Sequence, residues 1–207
     1  MHVITGASDG LGWELAKLLA AQGEKVVSLS RSKPESEGIG HIVCDLTHEG
    51  SINAAVGELL KEKEPLKALI NCAGVYNSQP LANLTGQEMA LAYTTNAIGP
   101  ILLTARLIER IKQDNADIMN IDSSSALESY DNEYAYATSK WALRGFSKNL
   151  QHELKDTGVR VTNVCPDNFR DKPEGKQMAS ADIAAFLLTI LQLPKSIEVG
   201  EVTLAAK

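Results

Sequence analysis

The sequence predicts an α/β fold: a doubly wound sheet of parallel strands with helices on both faces, three layers deep (α/β/α) and forming one domain over residues 1–207. Three observations carry this. The chain opens with a strand, a glycine-rich turn and a helix in immediate succession. Strand-like and helix-like segments then alternate to its end, which is the signature of parallel strands joined by crossover helices. The 207 residues are 44% hydrophobic, and no repeat, low-complexity tract or proline-rich linker divides them. That length and composition suit one core of ample size.

In order, an apolar run over residues 1–4 feeds the turn Thr5-Gly6-Ala7-Ser8-Asp9-Gly10-Leu11-Gly12. From Leu11 the period becomes helical: Leu11, Leu15, Leu18 and Leu19 share one side, Glu14, Lys17 and Gln22 the other, and Gly23 stops the helix. Strands are expected over 25–30, 40–44 and 66–71, with a helix over 50–63 between the last two. A long helix over 87–112, a strand over 116–122, a second long helix over 133–156 and a strand over 159–165 come next. A helix over 180–191 leads to a last strand over 197–204, whose alternating pattern suits a sheet edge. The two long helices carry Ala90, Ala97, Ala137, Ala142, Phe146 and Leu150 on more than one face. Such coverage points to burial in a homodimer or homotetramer.

Composition excludes several functions. The formal net charge is -6 and the 20 basic residues are dispersed, so no nucleic-acid surface is expected. No stretch approaches the ~20 apolar residues of a membrane span, and no basic-then-apolar leader precedes the first strand. Cys44, Cys72 and Cys165 are odd in number and embedded in strand-like sequence, as reduced core residues are. A cytoplasmic protein is expected. His2, His41, His48 and His152 share no ligand spacing with one another or with the cysteines, so no metal is predicted.

Two features point to chemistry. Glycines in the first turn permit positive φ and close approach of a diphosphate to backbone N–H groups, while the helix N-terminus adds partial positive charge. The turn therefore reads as a dinucleotide-binding turn. Farther on, Tyr136 and Lys140 stand one helical turn apart with small residues between them. A phenol is a poor acid-base group at neutral pH, and a neighbouring cation favours the phenolate. The pair is a candidate proton-transfer device; the alternative is an exposed tyrosine and lysine on an amphipathic helix. Cofactor choice depends on the residues just after the second strand, where a carboxylate would take ribose hydroxyls and a cation a 2′-phosphate. Here Ser30-Arg31-Ser32-Lys33 holds no carboxylate, so NADP(H) is preferred with Arg31 as phosphate clamp, and NAD(H) remains possible. Asp9 in the glycine turn acts against a phosphate.

Together these residues resemble the short-chain dehydrogenase/reductase family, and the resemblance spans nearly the whole chain. Its markers occur in family order: the glycine turn with Gly6, Ser8, Asp9, Gly10, Leu11 and Gly12, the pair Asp45-Leu46 after the third strand, and Asn71-Cys72-Ala73-Gly74, in which Cys72 departs from the usual asparagine. Asn96, Ser123, Tyr136 and Lys140 complete the series. The resemblance implies a Rossmann-like fold in which the glycine turn, Ser30, Arg31, Asp45, Leu46, Asn71, Ala73, Gly74, Tyr136, Lys140 and Pro166 bind the cofactor. Tyr136 would be the general acid or base, with Lys140 assisting it and binding the nicotinamide ribose. Ser123 would hydrogen-bond the substrate oxygen, though Ser124 and Ser125 stand beside it. Asn96 would break the helical ladder and hold a water that relays protons to Lys140.

The implied activity is interconversion of a carbonyl and a hydroxyl on a small organic molecule, an NAD(P)(H)-dependent oxidoreduction. A cofactor-sensing protein without turnover is the alternative, motivated by the last third of the chain. There Asp167 succeeds Pro166 in place of the usual glycine, and residues 168–179 are short, charged and rich in helix breakers. The pocket is expected to be open, with Phe169, Tyr76, Leu127 and Tyr130 as apolar lining.

Overall fold

Strands that read as unbroken apolar runs become strands covered on both faces. The computed structural model describes residues 1–35, 38–171 and 176–207. Among them, β1 (His2–Thr5), β2 (Val26–Ser30), β4 (Ala68–Asn71), β5 (Asp117–Ile121) and β6 (Val161–Pro166) are buried at every position. β3 (Ile39–Val43) and β9 (Glu201–Leu204) close the two edges, and the sheet runs β3-β2-β1-β4-β5-β6-β9 with all neighbours parallel. Parallel sheets of this kind need helices on both faces.

The helices supply them. α1 (Gly10–Ala21) and α6 (Ser180–Leu191) cover one face, where Leu11, Leu15, Leu19, Ile183 and Leu187 pack on Ile4, Ile70 and Met119. α2 (Glu49–Leu59), α4 (Gly99–Asp114) and α5 (Tyr134–Leu154) cover the other, burying Ile52, Leu103, Leu107, Ile111 and Leu150 against Val3, Leu69 and Ile118. The chain runs outward from β1 through β2 to β3, then returns to place β4 on the other side of β1. This reversal opens a crevice at the carboxyl ends of β1 and β4, the position where open α/β sheets bind ligands.

The single long helix expected over 87–112 is divided. α3 (Gly86–Tyr93), opened by a Thr85/Glu88 capping box, passes into a π-helical turn over Thr94–Ile98 before α4 begins. The cause is tertiary. A Cβ on Gly99 would lie 2.7 Å from both Cβ and O of Leu46, so only glycine lets this turn approach β3's exit loop. The Asn96 side chain is meanwhile pulled off the helix by the backbone of Val75. Other boundaries moved less. The last strand begins at Glu201 and not at 197, because the Ile197 carbonyl accepts from Arg160 instead of joining a ladder. Its residues are mostly half-buried without clean alternation. A two-residue pair, β7 (Phe169–Arg170) with β8 (Met178–Ala179), spans part of the breaker-rich segment 168–179, of which 172–175 lie outside the described residues.

Much of the apolar coverage that suggested an oligomer interface is spent inside the chain. Ala97 and Leu150 are buried, Phe146 packs on the core, and Ala90 is exposed. No helix among the described residues is long and apolar enough to cross a membrane.

A row of polar side chains crosses the otherwise apolar sheet near its carboxyl edge. Asn71, Asn120, Asn163 and Glu201 occupy matching registers on β4, β5, β6 and β9. Asn71 donates to Asn120 Oδ1 at 2.8 Å, Asn120 donates to Ser147 Oγ at 2.8 Å, and Ser147 donates to Asn163 Oδ1 at 3.1 Å. Asn163 donates in turn to Glu201 at 3.4 Å. Buried amides linked this way tie α5 to three strands and fix where the site helix sits.

Candidate active site

The glycine turn forms one wall of a cleft of about 530 Å³ at the switch point, lined by Gly6, Ser8, Asp9, Gly10, Leu11, Gly12, Ser30, Arg31, Asp45, Leu46, Ala73 and Gly74 among others. Its shape depends on absent side chains. Gly6 and Gly10 hold φ of 70° and 55°, and a Cβ on Gly12 would lie 2.5 Å from the Gly6 carbonyl oxygen. Thr5 Oγ1 accepts from the backbone N–H of Cys72 and of Ala73, both at 3.0 Å, which pins the β4 exit loop beside the turn. Asp9, at the N-cap of α1, makes no side-chain capping bond. The first N–H groups of α1 are thus left for another acceptor, as a diphosphate requires. With Arg31 exposed on the rim, these residues fit a dinucleotide.

Asp45 and Ser30 are partly committed to their own loops. The Asp45 carboxylate accepts from Thr47 N–H at 2.9 Å and Thr47 Oγ1 at 2.7 Å, which holds its pKa below the ordinary value. Ser30 Oγ donates to the Ser32 carbonyl at 2.7 Å. Asn71 does not line the cleft, contrary to the direct cofactor contact that the resemblance implied. Its amide is buried in the polar row, bonded to Asn120 and Thr104, so it acts on the cleft only by holding β4 in place.

A second cavity of about 440 Å³ adjoins the first through Cys72, Gly74, Val75, Ile121 and Phe169, which line both. Tyr136, Lys140, Ser123 and Pro166 line it. The helical spacing acts as expected: Lys140 Nζ lies 5.8 Å from the Tyr136 ring centroid. Lys140 is 4% exposed and its ammonium donates to the Ile121 carbonyl at 2.9 Å. Gly74 lies beside it: a Cβ there would stand 3.7 Å from Nζ, an ordinary van der Waals contact. Ser123 caps the short 3₁₀ turn over Ser124–Ala126, accepting from Ser125 N–H at 3.1 Å and donating to Ser125 Oγ at 3.2 Å. Of the three serines, Ser124 and Ser125 are bound elsewhere, Ser124 by Tyr130 and Ser125 to Glu133.

Asn96 is fully buried, and its side chain acts as a strut. Oδ1 accepts from Val75 N–H at 2.8 Å, while Nδ2 donates to the Val75 carbonyl and to Ser139 Oγ, both at 2.9 Å. Both amide protons are used. The π turn thereby clamps the loop after Gly74 against α5, next to Lys140.

The cavity is more polar than the sequence suggested. Tyr76, Tyr130 and Phe169 line it, but Leu127 does not. Asp122, Glu133, Asp167 and Arg170, which sequence reasoning left out of the site, do. Tyr76 packs edge-on against Tyr136 with ring centroids 4.9 Å apart, and its hydroxyl donates to Glu133 Oε1 at 2.9 Å. Ser125 donates to Glu133 Oε2 at 2.6 Å. Asp122 is 3% exposed, and neither carboxylate oxygen has a partner in good hydrogen-bond geometry among the described residues. Burial pushes its pKa to about 7, against the opposing pull of Lys140 and, more weakly, of the nearby Asn163 amide and Ser123 N–H. The available signal was a carboxylate at the end of an apolar strand, directly before Ser123.

Fold and site define a doubly wound α/β protein with a dinucleotide-type crevice opening into a tyrosine-lysine cavity. Residues 1–179 match the short chain dehydrogenase family model, and the chain belongs to that family of oxidoreductases. It is similar to an L-xylulose reductase of Caenorhabditis elegans, 29% identical over 85% of this chain and 78% of that protein. Among solved structures, an alcohol dehydrogenase of Thermococcus sibiricus complexed with 5-hydroxy-NADP superposes with a TM-score of 0.90 at 21% identity, covering 99% of this chain and 95% of that one. A metagenomic short-chain oxidoreductase in complex with NADP does so with a TM-score of 0.87 at 25% identity, covering 100% and 96%.

Proposed function

We propose that this protein interconverts a carbonyl and a hydroxyl on a small organic molecule, preferring NADP(H), with Tyr136 as the general acid in reduction and general base in oxidation. The observation that carries the reading is the meeting of Tyr136, Lys140 and Ser123 in one cavity continuous with the glycine-lined cleft. When bound, a nicotinamide dinucleotide supplies or accepts the hydride. The chain's own residues handle the oxygen. Ser123 Oγ, once its single proton turns from Ser125 Oγ, and the Tyr136 hydroxyl both donate toward a substrate carbonyl, and Tyr136 gives up its proton as negative charge grows on that oxygen. Lys140 stabilises the charge left on the tyrosine oxygen. Its ammonium is already oriented by the Ile121 carbonyl, so little reorganisation is needed. Arg31 supports the NADP(H) preference as a bidentate partner for a 2′-phosphate, as do the NADP-type ligands of the two structural relatives.

The test is a fluorescence titration of the protein with NADPH and NADH, then addition of a panel of aldehydes, ketones and diketones to the same samples. Substrate-dependent loss of NADPH is expected. Arg31→Ala should weaken NADPH binding about tenfold or more and NADH much less, as loss of a charge-assisted pair implies; an equal effect on both would remove the phosphate clamp. Tight binding of both dinucleotides with no turnover of any compound would replace the enzyme reading by a cofactor sensor.

A further inference from the structure

Glu133 lines the cavity that Ser123 and Tyr136 share, and its carboxylate is held there by two hydroxyls. It occupies the N-cap position of α5, three residues before Tyr136, yet makes no side-chain capping bond to that helix. Instead Tyr76 Oη and Ser125 Oγ fix one oxygen each. Each carboxylate oxygen accepts about two hydrogen bonds, so each retains acceptor capacity. No lysine or arginine pairs with it among the described residues. Ser123 and Tyr136 line the same cavity.

The residue before Ser123 also lines this cavity. Asp122 is almost wholly buried, and its carboxylate lacks any partner in good hydrogen-bond geometry among the described residues. The charges facing it are Lys140 and Arg144 from α5, with the Cys165 thiol on β6 adjoining. Arg144 is already spent on a bidentate pair with Glu201 at 2.9 and 3.0 Å. Asp167 adds a third carboxylate to the lining, and Arg170 stands exposed at its edge. The lining of this cavity is therefore rich in acceptors.

We propose that this cavity selects substrates whose reacting carbon has a neighbouring hydrogen-bond donor, a vicinal hydroxyl or ammonium, and that Glu133 is the residue that receives it. The inference rests on the oxidoreductase reading for the identity of the reacting carbon, but not for the selection itself. A ketone lacking the donor leaves the Glu133 carboxylate facing an apolar group with its water removed. Sites built to bond a polar substrate group reject the analogue lacking it for that reason. A donor-bearing substrate instead completes the set begun by Tyr76 and Ser125. Because those two hydroxyls fix the carboxylate before binding, the preference needs no rearrangement. Tyr76 bonds Glu133 and packs on the Tyr136 ring, which links the carboxylate to the proton donor.

The test compares 1-hydroxypropan-2-one with its near-isostere butan-2-one, and adds 1-aminopropan-2-one as the ammonium arm. Binding to the NADP⁺-loaded protein is read by ligand-observed NMR, and kcat/KM by loss of NADPH. The hydroxyketone, the aminoketone or both should exceed butan-2-one at least tenfold, and Glu133→Gln should shrink that ratio several-fold. A ratio near one in the wild-type protein overturns the proposal. So does a ratio that Glu133→Gln leaves unchanged. If no compound is turned over, the binding ratio still decides: a retained preference upholds the selection while counting against the hydride-transfer reading.

Discussion

Strand β5 carries a buried aspartate at its first position and another immediately beyond its last, and the two are treated in opposite ways. Asp117 accepts from Arg160 Nε at 3.0 Å and Nη2 at 2.6 Å, and from Lys195 at 2.6 Å. Arg160 also donates to the carbonyls of Leu193, Pro194 and Ile197, tying β6 to the chain that leaves α6. Asp122, at the other end of the strand, has no well-aligned partner and a pKa of about 7. The amino end of the strand is built for stability, with every charge matched. Its carboxyl end keeps an unmatched charge beside Lys140 and Ser123, which a protein tolerates only where chemistry or binding gains from it.

The largest effect expected comes from breaking the matched end. Asp117→Ala leaves the Arg160 guanidinium buried without its carboxylate and should cost about 3–5 kcal/mol of unfolding free energy, read by denaturant titration. Next in size, Tyr136→Phe should cut turnover on the order of 100-fold while leaving NADPH affinity nearly intact, as loss of a general acid does. The same turnover in the variant would mean that the carboxyl end has been assigned the wrong proton donor.

Smaller but sharper is the pH dependence. Asp122 has a folded pKa of about 7, raised from 3.8. The protonated form is therefore favoured by folding, and the contribution of this group to stability is lost as pH rises from about 4 to about 7. Asp122→Asn should abolish that slope, so the variant gains on the wild type across this window and holds its gain above it. Glu201 runs the other way. Its carboxyl is drawn to about 2 by hydrogen bonding to Arg144, so its contribution is present above about pH 4.5 and lost as pH falls toward 2. Glu201→Gln should flatten the acid limb alone. Thermal unfolding from about pH 3 to about pH 8 separates the two.

The matched end was less legible in the sequence than the reactive end. Strand and helix periods, the glycine turn and the Tyr136-Lys140 spacing are local, and each sits in the structure near where its pattern put it. Asp117, Arg160 and Lys195 are far apart in the chain and meet only through strand order, which no local period encodes. The π turn at Thr94–Ile98 had one local sign, Asn96 within an apolar helix, but its cause lies in Leu46 and Val75. In sequence, Asn71 read as part of a cofactor motif, while Asn120 and Asn163 each stand alone in an apolar run. Only the register makes them a row. Glu133 read as a helix start because its partners, Tyr76 and Ser125, belong to other loops.

The measurement that bears most directly on this account is the unfolding free energy of Asp117→Asn and Asp122→Asn against the wild type at about pH 8, in one denaturant series. Opposite signs are expected: a loss of several kcal/mol for Asp117→Asn, where the variant strands Arg160, and a gain of about 1 kcal/mol or more for Asp122→Asn, where it removes a buried unpaired charge. Comparable losses in both would contradict it, since Asp122 would then be a paired structural carboxylate like its counterpart at the other end of β5.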